Sequence, residues 1–171
     1  FEKILVEKCA SFGVAVVFVP YFKNTYVCGA TRWVNSDKAI IQMSLRGSYL
    51  DMFWFTFFHE IGHLLKHGKK DQFIEFETKD GEHDLDKEVE ADFYAMRTLI
   101  SDQDYQKLAA KKKLSDISLQ EISAFAKEIG VSVGIVAGRL LYEENKSGNK
   151  DAWKRYSRLR PRIKFEEPLC R

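Results

Sequence analysis

The sequence predicts an α+β fold in which a small antiparallel sheet packs on a bundle of helices. Two observations indicate this fold: short apolar runs bounded by turn residues occupy the N-terminal part, and apolar residues recur at helical spacing through most of the remainder. The chain has 171 residues, of which 45% are hydrophobic and 30% charged. That size and balance are typical of a folded domain with its own core.

The N-terminal part is predicted to form one helix and three strands. The helix covers residues 1–10 and ends before Gly13, a residue suited to a helix stop. Gly29 interrupts the second strand and indicates a bulge there, and residues 35–38 have the composition of a turn. The predicted strands are Val14–Val19, ended by Pro20, then 26–34 and Ala39–Ser44.

The rest of the chain predicts helices. Residues 50–67 form the first of them, which has a broad aromatic and aliphatic face and ends at Gly68. Residues 69–83 are polar and predict a loop with one short strand at 72–76. Four more helices are expected. The first covers residues 86–100, and a short second one begins after the cap Ser101. The third begins at the capping box of Ser118 and Glu121 and ends at Gly130, and the fourth covers residues 133–144. The core side of the helix at 86–100 is predicted to be Val89, Phe93, Met96 and Ile100.

Bulk charge and cysteine content exclude several classes of protein. A net charge of +2 gives no overall field that would favour nucleic acid or a membrane surface. No apolar run is long enough to cross a bilayer, and nothing resembles a signal peptide. Cys9, Cys28 and Cys170 lack the spacing of a metal or redox pair, so we expect reduced thiols in a cytoplasmic protein. Because Phe1 stands inside a predicted helix, a segment upstream of it is expected.

One motif carries candidate chemistry. His59, Glu60 and His63 form the pattern His-Glu-x-x-His on the aromatic-rich helix. A spacing of four residues puts both imidazoles on one helix face, one turn apart, where both can reach a single metal ion. Glu60 is rotated by about 100° from His59, so it can flank the metal as a base for metal-activated water. The alternative is two structural histidines beside a solvated glutamate.

A hydrolytic zinc site needs a third protein ligand, and the following helix offers Glu88 and Glu90. Glu88 shares a face with Ala91, Asp92 and Ala95, where small side chains would allow close approach to the histidine helix. Glu90 lies about 200° around the helix from Glu88. We therefore predict Glu88 as the ligand, with the metal between the two helices. Asp92, one turn on, can accept a hydrogen bond from the far nitrogen of a ligating histidine.

Two other histidines and two tyrosines are weaker candidates. His67 follows His63 by one turn, but three ligands along one straight helix would converge poorly on one ion, so we expect His67 to bind a carbonyl or pack at the helix end. His83 is expected to be solvated in a loop. A second group usually stabilises the oxyanion in such sites. Tyr94, Tyr105 and His83 are candidates among which the sequence does not choose.

A longer pattern surrounds the motif. It comprises residues 29–33, 39–46, 53–58, 59–67, 88–95, 125–130 and 134–139. This pattern resembles the ImmA/IrrE family of metallopeptidase domains, in the version that follows an Xre-type helix-turn-helix in HigA-like antidote regulators. Ser101 departs from it, because the family usually has a proline after the helix of the third ligand.

The resemblance implies a zincin-like fold and a zinc metalloendopeptidase of the gluzincin type, with His59, His63 and Glu88 as ligands and Glu60 as base. Better-known members of the family cleave repressor proteins during stress. That implies a repressor or antitoxin-type protein as substrate, and a helix-turn-helix domain upstream. The alternative is a domain that keeps zinc without turnover and regulates a DNA-binding protein. Manganese or iron can bind the same ligand set, so the identity of the metal stays open.

Residues 1–144 are predicted to form the metallopeptidase domain, and 145–171 a basic tail that packs on it or trails from it. Trp153 and Tyr156 are interleaved with the basic residues, as stacking on nucleic acid would require. A charge run is more often a solvated face, so direct nucleic-acid binding is not expected. Residues 146–164 contain one acidic residue, Asp151, and the following basic residues: Lys146, Lys150, Lys154, Arg155, Arg158, Arg160, Arg162 and Lys164.

Overall fold

The structure is a computed structural model that describes residues 1–20, 28–44, 48–67, 85–110 and 113–165. Its helices are α1 (Glu2–Ala10), α2 (Leu50–Lys66), α3 (Leu85–Leu99), α4 (Asp102–Ala109), α5 (Leu119–Glu128), α6 (Val133–Lys146) and α7 (Ala152–Tyr156). Its strands are β1 (Val14–Val19), β2 (Gly29–Trp33) and β3 (Ala39–Ser44). The α+β class, with a small sheet against helices as in a zincin-like fold, is confirmed. Gly68, the strand at 72–76, His83 and Cys170 lie outside the described residues.

The sheet is mixed, so the prediction of an antiparallel sheet is wrong for one of its two pairings. The strand order is β1-β3-β2, with β2 and β3 antiparallel and β1 parallel to β3. A tight turn at residues 34–38 joins β2 to β3, and such a turn requires antiparallel neighbours. No turn joins β1 to β3, because β2 lies between them in the sequence, so the sequence did not determine their relative direction.

The apolar face of α2 packs on this sheet. Alternate residues of β3 are buried, as expected for a strand with one face toward a core. The helix predicted over 50–67 is confirmed, since α2 ends at Lys66 and His67 is its C-cap. The buried residues of this first cluster are Val16, Ala39, Ile41, Met43, Phe53, Phe57 and Leu64.

Helices α4 to α7 enclose a second cluster, and Trp54 of α2 packs against both clusters. The predicted helix starts are confirmed: Ser101 accepts a hydrogen bond from the N–H of Asp104 (3.1 Å), and Ser118 and Glu121 form both halves of a capping box. Gly130 follows α5 at φ +73°, a conformation that glycine adopts without strain. The largest side chains fully buried here are Ile117, Ile122, Val136, Leu140 and Tyr156.

The predicted core side of helix α3 is only partly buried: Ile100, directly after the helix, lies in the second cluster as predicted. Val89 and Phe93 are 51% and 50% exposed, so their assignment to the core is wrong. Ala91 and Ala95 are fully buried, because α3 approaches α2 closely on that side. A Cβ atom added to Gly62 of α2 would lie 3.1 Å from Cα of Ala91. Small residues on both helices therefore set their spacing, and the larger apolar residues of α3 point away from it.

The basic segment after α6 packs on the domain through several of its charged residues. Arg160 is buried, and its Nε donates to Asp51 Oδ2 at 2.8 Å, which connects the segment to the first turn of α2. The guanidinium of Arg155 donates to the backbone carbonyls of Ser115 and Ile117. Tyr156, one of the two aromatic residues proposed for nucleic-acid stacking, is fully buried. Among the described residues, no helix combines the length and apolar character needed to cross a membrane.

Candidate metal centre

The two histidines of the motif meet on one face of α2. His59 and His63 are one helical turn apart, and their Nε2 atoms are 2.9 Å from each other. The side chain of His63 is 3% exposed and that of His59 is 13% exposed. Both rings are therefore held largely out of solvent with one nitrogen each directed to the same point.

Helix α3 brings Glu88 to this point. Its Oε2 atom lies 3.2 Å from Nε2 of His59, and its Oε1 atom lies 3.4 Å from Nε2 of His63. In the described part of the chain these three residues form a group whose ligand atoms all lie within 4.8 Å of one another, and this group could hold a metal ion. Glu90 is absent from the group, in line with the choice made from helical geometry. Two imidazoles and one carboxylate are a donor set that zinc accepts in hydrolytic sites.

Asp92 contacts the outer nitrogen of His59. Its Oδ1 atom is 2.9 Å from Nδ1 of that ring. A carboxylate in this position accepts a hydrogen bond from the Nδ1–H group of His59, so that a bound metal ion would meet the lone pair of Nε2, the nitrogen on the side of Glu88. The contact predicted for Asp92 from its position on the helix is thus present in the structure.

The electrostatics of the group favour a positive charge at its centre. Burial lowers the pKa of His59, but hydrogen bonds with Asp92 and Glu88, together with the charges of Glu60 and Asp92, outweigh burial and raise the pKa to about 10. The hydrogen bonds from His59 and His63 lower the pKa of Glu88. The metal-free group therefore holds a proton on His59 beside an ionised Glu88. A divalent cation would satisfy the same carboxylates while displacing that proton, so the residues fit a metal ion.

Glu60 is buried beside the group, under strand β2. A Cβ atom added to Gly29 would lie 2.6 Å from Oε1 of Glu60 and 2.6 Å from Cγ2 of Thr56, so only glycine fits there. Gly29 pairs with Met43 in the regular antiparallel register, and its assignment to a bulge is wrong. This glycine lets the backbone of β2 approach Glu60, and no local sequence pattern indicates that contact.

The profile of the IrrE N-terminal-like domain matches residues 37–141, which is more than half of the chain. The chain belongs to the IrrE N-terminal-like domain family. The matched range includes the whole metal-ligand group with Glu60 and Asp92. The resemblance to ImmA/IrrE metallopeptidase domains is therefore confirmed, and the chain is a metallopeptidase-type domain; a search of curated proteins finds no match.

In this IrrE N-terminal-like domain a cavity of about 740 Å³ adjoins the metal-ligand group. It extends along α2 to Asp51 and Arg160, two helical turns from His59, or about 12 Å. The residues that line it near the group are His59, Glu60, Glu88 and Asp92. Its apolar wall includes Met52, Phe55, Met96, Leu99, Ile100, Ile135 and Leu141. A volume of this size is in the range of cavities that bind small molecules or short peptide segments.

The candidates for a second oxyanion donor have different positions. Tyr105 packs under Arg139, whose guanidinium carbon is 4.6 Å from the ring centre. Neither Tyr105 nor Tyr94 lines the cavity, whereas Tyr142 of α6 does, together with Arg139. Tyr142 was missed because α6 is far from the motif in sequence, and no local pattern indicates which of its faces adjoins α2.

Proposed function

We propose that this domain is a zinc-dependent endopeptidase. One observation carries the proposal: the group of His59, His63 and Glu88 is accompanied by a buried fourth side chain, Glu60, that is not a member of the group. Structural zinc sites use four protein ligands, whereas hydrolytic sites use three and keep one position open beside a general base. Three ligands and a neighbouring carboxylate support the hydrolytic type.

The residues of the domain divide the reaction between them. His59, His63 and Glu88 would hold the zinc ion, which would supply Lewis-acid chemistry to a water molecule and to the peptide carbonyl. Glu60 takes the proton of the attacking water and delivers it to the leaving amine. Asp92 keeps His59 in the tautomer that presents Nε2. Glu60 is buried, so its carboxylate is kept away from bulk solvent. It therefore exchanges protons with the reactants and not with the solvent.

The cavity supports a peptide substrate with large apolar side chains near the cleaved bond. Its apolar wall is formed by α2, α3 and α6 directly beside the carboxylates of Glu60 and Glu88. Burial of one leucine- or phenylalanine-sized side chain contributes about 1.5–3 kcal/mol to binding. The resemblance to domains of antidote regulators supports a repressor or antitoxin-type protein in the cytoplasm as the natural substrate.

Replacement of Glu60 by glutamine tests the reaction. Glu60→Gln keeps the shape of the side chain and removes the base, so zinc should remain bound while cleavage falls at least about 100-fold. Zinc is measured by elemental analysis, and cleavage with a library of quenched fluorescent peptides whose fragments are identified by mass spectrometry. Glu128→Gln, at an exposed position of α5, is the matched control and should cleave at the wild-type rate.

Two outcomes would contradict the proposal. If Glu60→Gln cleaves as fast as the wild type, Glu60 is not the base. If the wild-type protein binds zinc but cleaves no peptide and no regulator protein, the alternative of a non-catalytic zinc-binding regulatory domain is favoured.

A further inference from the structure

Glu90 lies on the same helix as Glu88 but contacts a different part of α2. Its Oε2 atom is 3.4 Å from Nε2 of His67, and its Oε1 atom is 3.8 Å from Nζ of Lys66. Both partners belong to the C-terminal end of α2, one turn beyond His63. Glu90 therefore contacts the end of the helix that carries the metal-ligand group.

His67 stands between Glu90 and His63. It is the buried C-cap of α2, and its backbone N–H donates to the carbonyl of His63 at 3.1 Å. Its Nδ1 atom lies 2.9 Å from Nδ1 of His63, and its Nε2 atom is the one that faces Glu90. Each ring nitrogen of His67 thus contacts one neighbour, which places Glu90, His67 and His63 in one chain of contacts.

The nitrogen that His63 turns toward His67 is not the one in the metal-ligand group. Nε2 of His63 faces His59 at 2.9 Å and Glu88 at 3.4 Å, while Nδ1 faces His67. The two nitrogens of an imidazole point to different sides of the ring. His67 therefore cannot reach the ion that His63 would bind, which removes it as a further ligand.

The same geometry assigns the ring protons. A histidine that binds a metal through Nε2 carries its proton on Nδ1, and a hydrogen bond to that N–H fixes the tautomer. The Nδ1–H of His63 then donates to Nδ1 of His67. Because that atom of His67 accepts, its own proton is on Nε2, the atom nearest Glu90. Orientation of His63 thus depends on the orientation of His67.

We propose that His67 is a positioning residue for the metal ligand His63, and that Glu90 holds His67 in place for this role. His67 does for His63 what Asp92 does for His59, with a neutral acceptor in place of a carboxylate. The proposal rests on the metal site of the proposed function but not on turnover.

Zinc affinity of the full chain tests the proposal, measured by competition with a chromogenic chelator. His67→Phe keeps a ring but has no acceptor, so zinc should bind about 10- to 100-fold more weakly, as expected when the hydrogen-bond partner of a ligand is lost. His67→Asn places a side-chain carbonyl near the position of Nδ1 and should recover most of that loss. Glu90→Gln should weaken zinc binding less than His67→Phe. The control is Leu65→Ala, an exposed position on the same turn of α2, which should leave the affinity unchanged.

The ¹⁵N shifts of His63 provide a readout that a purely structural role would not change. In the metal-free state, the wild type should show a protonated Nδ1 of His63, whereas His67→Phe should show a mixture of tautomers. Zinc binding by His67→Phe at wild-type affinity would overturn the proposal, as would equal losses in His67→Phe and His67→Asn. If circular dichroism shows that His67→Phe does not fold, Glu90→Gln decides, and an unchanged zinc affinity in that variant overturns the proposal. A wild type that binds zinc without cleaving peptides would end the proposed peptidase function and leave this proposal standing.

Discussion

Two regions of the molecule hold carboxylates partly or fully away from solvent and surround them differently. In the metal centre, Glu88 lies between the imidazoles of His59 and His63. Near the C-terminal segment, Asp51 accepts from Arg160, and Glu144 accepts from Tyr156 and Asn149. Arginine stays charged at every physiological pH, whereas an imidazole gains or loses its charge with its surroundings. The arginine-paired carboxylate is thus a permanent structural contact, while the group of Glu88 and its two imidazoles can exchange the proton of His59 for a metal ion.

This difference shows which of the two carboxylates can bind a metal ion. The degree of burial does not identify the carboxylate that can bind a metal ion. Asp51 is the more buried of the two acids, at 9% side-chain exposure against 33% for Glu88, yet Glu88 is the metal-ligand candidate. The identity of the partner does distinguish them. A carboxylate whose neighbours are neutral in one protonation state can accept a cation from solution, and one bound to a guanidinium cannot.

The largest expected effect is on stability, at the arginine pair. Arg160→Met removes one partner of a buried ion pair and leaves Asp51 without its counter-charge, which costs about 3–5 kcal/mol in the free energy of unfolding. Urea denaturation of the metal-free protein measures this loss. Arg158→Met, at an exposed position of the same segment, is the control. A loss below about 1 kcal/mol would show that the pair is solvated and that the contrast with the metal centre fails.

The next effect is on zinc affinity, at the imidazole pair. Glu88→Gln removes a ligand, so zinc affinity should fall by more than the factor of about 10–100 that follows the loss of a supporting partner. The fold should persist, because Glu88 is a third exposed and its contacts are replaceable by water. Chelator competition gives the affinity, and Asp86→Asn in the first turn of α3 is the control. Wild-type affinity in Glu88→Gln would mean that the third ligand is another residue.

The effect that is smallest per step is a pH dependence, at most about tenfold in zinc affinity per pH unit, with opposite signs in the two states of the metal centre. The pKa of His59 is raised to about 10 from 6.5, so its protonation stabilises the metal-free protein fully below about pH 6.5 and this contribution is lost as the pH rises through about 10. Zinc competes with the same proton, so its affinity should rise with pH by up to about tenfold per unit in this window.

Urea unfolding of the chelator-treated protein and zinc titrations, both at several pH values, measure the two slopes. Asp92→Asn weakens the hydrogen bond that most raises the His59 pKa, so its zinc affinity should level off at a lower pH than that of the wild type. A zinc affinity that does not change between about pH 6.5 and 8 would remove His59 from the group.

The parts of the site that the sequence predicted are those fixed by the geometry of a single helix. His59 and His63 had to share a face of α2 because four residues make about one turn, and the same argument separated Glu88 and Asp92 from Glu90. The meeting of α2 with α3 was predictable from Ala91 and Ala95, since small side chains permit close packing. That argument conflicted with the assignment of Val89 and Phe93 to the core, because the two pairs lie on different faces of α3.

The parts that could not be predicted depend on contacts between distant segments. Arg160 is buried by Asp51, 109 residues earlier, and no local pattern links them. The direction of β1 relative to β3 depends on the path of the chain between β1 and β2, which hydrophobic alternation does not encode. The role of Gly29 depends on Glu60, which approaches it from another element. In each case the sequence shows the residue type but not the distant residue that it contacts in the fold.

The contact between Gly62 and Ala91 means that two residues without functional groups set the dimensions of the metal centre. The histidines belong to α2 and the carboxylate to α3, and these helices touch through the Cα of Ala91 beneath the missing side chain of Gly62. A methyl group at position 62 would separate the helices by a few tenths of an ångström, and with them the histidines and Glu88, without replacing any ligand residue. Metal affinity in this fold can therefore be graded by the bulk of a packing residue, in natural variants or in engineered ones, without any change to the coordinating atoms.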